Sequence, residues 1–186
     1  MKKLFKYLLL IPLITSLTGC VKNDDILFKG TLVEIDWASF NARTSGYPFT
    51  LFTRVPGEPG RGVYNSPNSY GGIDPLLTRA TVDTIRMRIN LVGPQQSTPQ
   101  TFTMGVNSTF TTGIEGSSTT PGAHFQLIDR TVTIPANSSF GFCRWVVRNP
   151  GVSSTIPVTV VFQLRGNNSI PVSENFQFIG WSISQL

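Results

Sequence analysis

The stretch that most constrains the fold is 84–91. Ile85, Met87, Ile89 and Leu91 occupy alternate positions, with Thr84, Arg86, Arg88 and Asn90 between them. Successive side chains of a strand point to opposite faces, so this pattern predicts a strand buried on one side. A helix would split the same four apolar residues between opposite sides and bury neither set. The alternation recurs. Phe102, Met104 and Val106 face away from Thr101 and Thr103, and Val158, Val160, Phe162 and Leu164 face away from Thr159, Gln163 and Arg165. Shorter runs at 26–35, 48–54, 124–128, 131–134, 140–148 and 176–184 bring the expectation to eight or nine strands. Turn signals separate them: Val92-Gly93-Pro94, Pro121-Gly122, Pro135-Ala136-Asn137, Asn149-Pro150-Gly151 and Gly166-Asn167-Asn168. Many short strands with this punctuation predict an all-β, immunoglobulin-like antiparallel β-sandwich.

One segment departs from the rhythm. Between Val55 and Ala80 stand Pro56, Gly57, Pro59, Gly60, Gly62, Pro67, Gly71, Gly72 and Pro75. Loops this long are uncommon in compact domains and are either functional or disordered. The loop at 55–80 is read as an excursion from the sandwich with a short strand near Val63-Tyr64.

The N-terminus carries an address. Lys2, Lys3 and Lys6 precede an apolar run from Leu8 to Leu17, interrupted by Pro12, Thr15 and Ser16. It is too short and too broken to span a bilayer permanently and reads as a secretory signal. Leu17-Thr18-Gly19-Cys20 resembles a bacterial lipobox. That implies a signal peptide at 1–19, lipidation of Cys20, and a tether at 20–25 ahead of one domain at 26–186. Several acyl chains on one cysteine give stable anchoring where a single chain gives only reversible binding. The tether residues Lys22-Asn23-Asp24-Asp25 resemble the surface-export signal of Bacteroidota lipoproteins, so the expected location is the outer membrane, facing the cell surface.

Cleavage there changes the electrostatics. The whole chain has 15 Lys and Arg against 10 Asp and Glu, a net +5. Losing the signal's three lysines leaves a formal +2, without a basic cluster that would suit nucleic acid. Cys143 becomes the one remaining thiol. Lying in a strand-like run, it is read as a small buried hydrophobe.

Candidate chemistry is sparse. His124, the one histidine, comes without a Gly-x-Ser-x-Gly elbow and is read as structural. Glu34 and Asp36 would share a strand face about 7 Å apart, which fits a solvated edge as well as a carboxylate pair. Ten acidic residues spread over the chain build no calcium cage. Neither a metal, a cofactor nor catalysis is expected. Trp37, Tyr47, Tyr64 and Tyr70 form the candidate ligand site, since exposed aromatic rings stack on sugar faces. The competing reading buries Trp37 and Phe40 at an open end of the sandwich. Trp145, sharing a face with Cys143 and Val147, and Trp181, with Ile179 and Ile183, are expected in the core.

The region 81–164 carries a family resemblance. Asp83-Thr84-Ile85 opens a strand ending Leu91-Val92-Gly93. Gly122-Ala123-His124-Phe125, Val132-Thr133-Ile134-Pro135-Ala136-Asn137-Ser138 and Val147-Arg148-Asn149-Pro150-Gly151 follow, and Val160-Val161-Phe162-Gln163-Leu164 closes the run. This resembles the small β-sandwich lipoproteins of unknown function in Bacteroidota, often encoded beside Sus-type glycan-uptake components, and more distantly the Calx-β sandwich. Ala123-His124 replaces the aspartate-aromatic pair of the Calx-β calcium loop, so that metal site does not carry over. The resemblance implies an accessory binding role beside a glycan or nutrient uptake system, with glycan or Sus-type outer-membrane proteins as partners. The alternative is a structural or adhesin-like module that binds protein.

Overall fold

A computed structural model describes residues 30–36, 48–53, 76–82 and 84–186. The signal at 1–19, Cys20 and its tether, the aromatic candidates Trp37, Tyr47, Tyr64 and Tyr70, and most of the 55–80 loop lie outside the described residues.

The described residues form nine strands: β1 (Leu32–Ile35), β2 (Thr50–Phe52), β3 (Thr84–Val92), β4 (Gln100–Val106), β5 (Phe125–Leu127), β6 (Thr131–Ile134), β7 (Phe140–Val147), β8 (Val158–Arg165) and β9 (Phe178–Ile183). They make a four-stranded sheet, β1-β3-β7-β5, and a five-stranded sheet, β2-β9-β8-β4-β6. Each of the nine stretches expected from the sequence contains one strand. The 176–184 run differs at its start, where Glu174–Phe176 forms a 3-10 turn before β9. Pairing is antiparallel with one departure: β2 runs parallel to β9, Phe52 opposite Trp181. A hairpin would force antiparallel pairing, but β2 is distant in sequence from β9 and joins as an edge strand in either sense.

The core lies between the sheets. β3 contributes Ile85, Met87, Ile89 and Leu91, none more than 5% exposed, as its alternation requires. Facing them across the sandwich are the inward residues of the second sheet, among them Phe102, Met104, Phe162, Leu164, Ile179 and Trp181. Trp145 and Cys143 on β7 are fully buried. Where β7 passes β6, a Cβ on Gly141 would stand 2.5 Å from the Thr133 carbonyl oxygen. Only glycine permits that approach of backbones.

The second sheet also carries a small outer layer. Phe49 meets Phe110 edge-on at 5.2 Å. A Cβ on Gly180 would come within 2.6 Å of the Phe49 ring, so the missing side chain makes the ring's seat. Gly180 is paired with Val161, which is buried although it points away from the main core.

The end of the Pro/Gly-rich segment is not a free loop. Leu77 is fully buried. Its amide donates to the Thr53 carbonyl at 2.9 Å, and its own carbonyl accepts from Ser184 at 2.9 Å. Burial of one leucine, about 2 kcal/mol, and these two bonds dock 76–80 onto the sandwich.

Candidate functional site

At one end of the sandwich, the last residues of β7 meet two connections: the docked segment before β3 and the loop leading into β5. They enclose a cavity of about 460 Å³. Such a volume lies within the range of small-ligand sites, about 300–1,000 Å³. Its polar lining comes from Arg79, Thr81, Arg148, Asn149, Ser117, Ser118 and Thr120.

Backbone bonds fix each wall. The Arg79 amide donates to the Ser184 carbonyl at 2.8 Å, tying the docked segment to the end of β9. The Arg148 amide donates to the His124 carbonyl at 2.8 Å, extending the β5–β7 pairing by one rung. The opposite wall is a tight turn. The Ser117 amide donates to Thr120 Oγ1 at 3.0 Å, and the Ser117 and Thr119 hydroxyls share a hydrogen bond of 2.9 Å. A Cβ on Gly116 would lie 2.6 Å from Thr120, and Gly122 adopts φ 72°, so both glycines serve this turn's path.

His124 supports the same wall. Its amide donates to the Ile114 carbonyl at 2.8 Å, while its Nδ1 accepts the Ile114 amide at 3.1 Å. Burial lowers its pKa from the usual 6.5. The ring therefore has a structural task, as expected, and its acceptor nitrogen is already engaged.

The guanidinium groups are the unusual part of the lining. Arg79 Nη1 donates to Asn149 Oδ1 at 3.0 Å, and Arg148 Nη2 donates to Gln126 Oε1 at 2.6 Å. Both acceptors are neutral amides. The Nε of each arginine is shielded from solvent and has no hydrogen-bond partner. Buried N–H groups are rarely left unpaired, since each costs about 1–3 kcal/mol.

The groups singled out in the sequence stand elsewhere. Asp36 is fully buried and bound to Arg88, rather than lying on a solvated strand edge beside Glu34. The β1–β3 register, Ile35 opposite Ile89, carries on one position past β1, where the Asp36 amide donates to the Arg88 carbonyl at 2.9 Å and the Asp36 carboxylate meets the Arg88 guanidinium. Glu34 has its pKa raised, first by burial and then by the Asp36 charge. Cys143 donates to the Asp129 carbonyl at 3.2 Å, and burial pushes its thiol up to about 12. No aromatic ring lines the cavity among the described residues. Nor do three His, Cys, Asp or Glu side chains come together among those residues.

The cavity arginines had no sequence signal. Arg79 falls inside the stretch read as loop, and Arg148 reads as the end of a strand. They reach one cavity only because 76–80 docks beside β9 and β7 ends opposite it.

No family model matches the chain, and no curated protein matches it. Among solved structures it is similar to a provisionally assigned carbohydrate-binding protein from Bacteroides ovatus, at 8% identity and a TM-score of 0.42, over 58% of this chain and 33% of that one. It is also similar to a two-domain protein of unknown function from Bacteroides fragilis, at 6% identity and a TM-score of 0.46, over 83% of this chain and 45% of that one. The chain thus spans less than half the length of either structure.

Proposed function

We propose that this protein is a non-enzymatic, lipid-anchored envelope protein that binds a saccharide in the cavity between 79–82, 117–123 and the end of β7. In this reading it serves as an accessory to a glycan or nutrient uptake system at the outer membrane. The observation that carries the binding role is that Arg79 and Arg148, bonded through their side chains only to neutral amides, line a cavity ringed by serine and threonine hydroxyls. Hydroxyl, amide and guanidinium groups converging on a concavity supply the donors and acceptors that orient a polyhydroxylated ligand. Anchoring and location rest on the lipobox-like sequence ending at Cys20.

The non-enzymatic part is supported by what the reactive side chains already do. His124 Nδ1 accepts a backbone amide, Cys143 is buried with its thiol held protonated, and Asp36 is ion-paired.

The experiment is a glycan array probed with the full chain in detergent. Binding to at least one saccharide, reduced by Arg148→Gln, is the expected result. An array without a positive would overturn the saccharide reading. The protein-binding alternative draws on exposed apolar residues: Val82 in the cavity lining, 90% exposed, and Val152 and Ile156 in the connection between β7 and β8, 70% and 74% exposed.

A further inference from the structure

Among the described residues, the arginines differ in what their side chains meet. Arg88, Arg130 and Arg144 each have a carboxylate: Asp36, Glu115 at 2.6 Å and Asp129 at 2.8 Å respectively. Arg86 stacks over the Phe142 ring at 4.3 Å. Arg79 and Arg148 line the cavity, and no described carboxylate pairs with either. Two positive charges thus share one concavity with four hydroxyl-bearing neighbours, Thr81, Ser117, Ser118 and Thr120, and without a described negative charge.

Like charges lining one cavity repel, and partial enclosure makes their attraction for a counter-charge stronger than in bulk water. A guanidinium offers five N–H donors in a planar fork that matches a carboxylate in bidentate fashion. Each of these two forks makes one side-chain hydrogen bond, to a neutral amide, and each keeps a shielded Nε–H unmatched. Because each Nε is shielded, an anion entering the cavity would meet the forks through their Nη groups and offset their charge. A neutral sugar could accept hydrogen bonds from those Nη groups but would leave the charge without a partner.

We infer that the cavity selects an acidic saccharide, whose carboxylate is held by Arg79 and Arg148 while Ser117, Ser118 and Thr120 take neighbouring hydroxyls. This rests on the saccharide reading above and adds the charge of the ligand. The bond from Arg79 Nη1 to Asn149 Oδ1 positions one fork, because Asn149 Oδ1 is itself held by the Gly151 amide at 3.0 Å. Asn149 is accordingly a positioning residue, and the two arginines are the contacting groups.

The test is calorimetric titration of the full chain in detergent with oligosaccharides of galacturonate, alginate and hyaluronan. Each is compared with its carboxyl-reduced, uncharged form of the same length. The expected result is that at least one acidic oligosaccharide binds ten-fold or more tightly than its reduced form, and that affinity falls as salt rises. Arg79→Gln and Arg148→Gln should each abolish the difference while their thermal midpoints stay near that of the parent. Arg165→Gln, at an exposed strand end, should leave it intact. Equal binding of acidic and reduced forms would overturn the charge inference and leave the saccharide reading standing. Absence of binding to every acidic and reduced probe, together with an empty glycan array, would overturn both. A preference for the acidic form that survives both arginine substitutions would also overturn the assignment.

Discussion

Trp145 of β7 and Trp181 of β9 meet across the sandwich, their ring centroids 5.3 Å apart at 54°. Both are fully buried. Phe52 lies 4.8 Å from Trp181 and Phe162 lies 5.3 Å from Trp145, so one run of rings joins the two sheets. Replacing either tryptophan by alanine should cost about 3–5 kcal/mol of stability through lost burial and a large cavity. The milder test is a cycle with Trp145→Phe and Trp181→Phe. Because the rings touch, the double variant should depart from additivity by about 0.5–3 kcal/mol. Urea denaturation of the four proteins reads this directly, and strict additivity would mean that the contact carries no energy of its own.

Cys143 sits beside Trp145 and Met87 at the first sheet's inner face, and its thiol is pushed up to about 12 by burial, with the nearby Asp129 charge adding to the rise. The thiolate is the nucleophile, so the folded protein should resist alkylation at pH 8. Mass spectrometry after iodoacetamide treatment should find Cys143 unmodified in buffer and fully modified in denaturant. The sign of the linkage is fixed too. An acid whose folded pKa lies above its ordinary 9.0 stays neutral in the native state while the unfolded chain ionises. Stability should therefore fall as pH rises from about 9 toward 12. Rapid labelling of the native protein would place the thiol at the surface instead.

The legibility of this chain follows the range of its interactions. Strands were readable because burial of one face is written into adjacent residues, as in Ile85, Met87, Ile89 and Leu91. The core tryptophans were readable for the same reason, since each shares a face with apolar residues two positions away. Val161 was not, because its burial depends on the outer layer near Gly180, Phe49 and Phe110, three segments that alternation within one strand does not link. Leu77 was hidden by the glycines and prolines around it. The cavity was least legible of all. Its arginine–asparagine contact spans 70 residues of sequence, and neither Arg79 nor Arg148 belongs to a binding or catalytic motif.

Asp36 and Glu34 follow each other closely in sequence and should respond oppositely to neutralisation. Asp36 is buried with Arg88 as its partner, so Asp36→Ala leaves a charged group half-shielded and unpaired. Breaking a fully buried pair costs about 3–5 kcal/mol, and the partial exposure of Arg88 puts the expected loss below that range. Glu34 has a raised pKa, caused first by burial and then by repulsion from Asp36. A carboxyl raised in the folded state binds protons more readily there than in the unfolded chain. Its contribution is thus lost as pH rises from 4.5 through the folded value. Glu34→Gln should stabilise the protein at pH 7 and have little effect at pH 4. Thermal midpoints at the two pH values check both claims, and a Glu34→Gln variant less stable at pH 7 would contradict the assigned repulsion.

The hydrogen bond from the Ile114 amide to His124 Nδ1 requires an imidazole with that nitrogen unprotonated. An imidazolium has donors on both nitrogens, so protonation would set two N–H groups against each other. Burial already lowers the His124 pKa below 6.5. The folded state therefore binds fewer protons than the unfolded chain in the interval just under 6.5. Stability from this residue is complete above about pH 6.5 and is lost as pH falls toward the folded value. Carboxylates contribute their own acid sensitivity, so the measurement is a comparison of slopes. Urea midpoints between pH 7.5 and 5 should fall more steeply for the parent than for His124→Gln, whose side-chain oxygen accepts the same amide without titrating. Hydrogen exchange gives the local reading, because the Ile114 amide should lose protection on acidification in the parent and keep it in the variant. His124 links the cavity's turn wall to β5, so the loosening should reach Ser117 and Thr120 as well. Parallel slopes with unchanged Ile114 protection would show that the ring's acceptor role does not hold this wall.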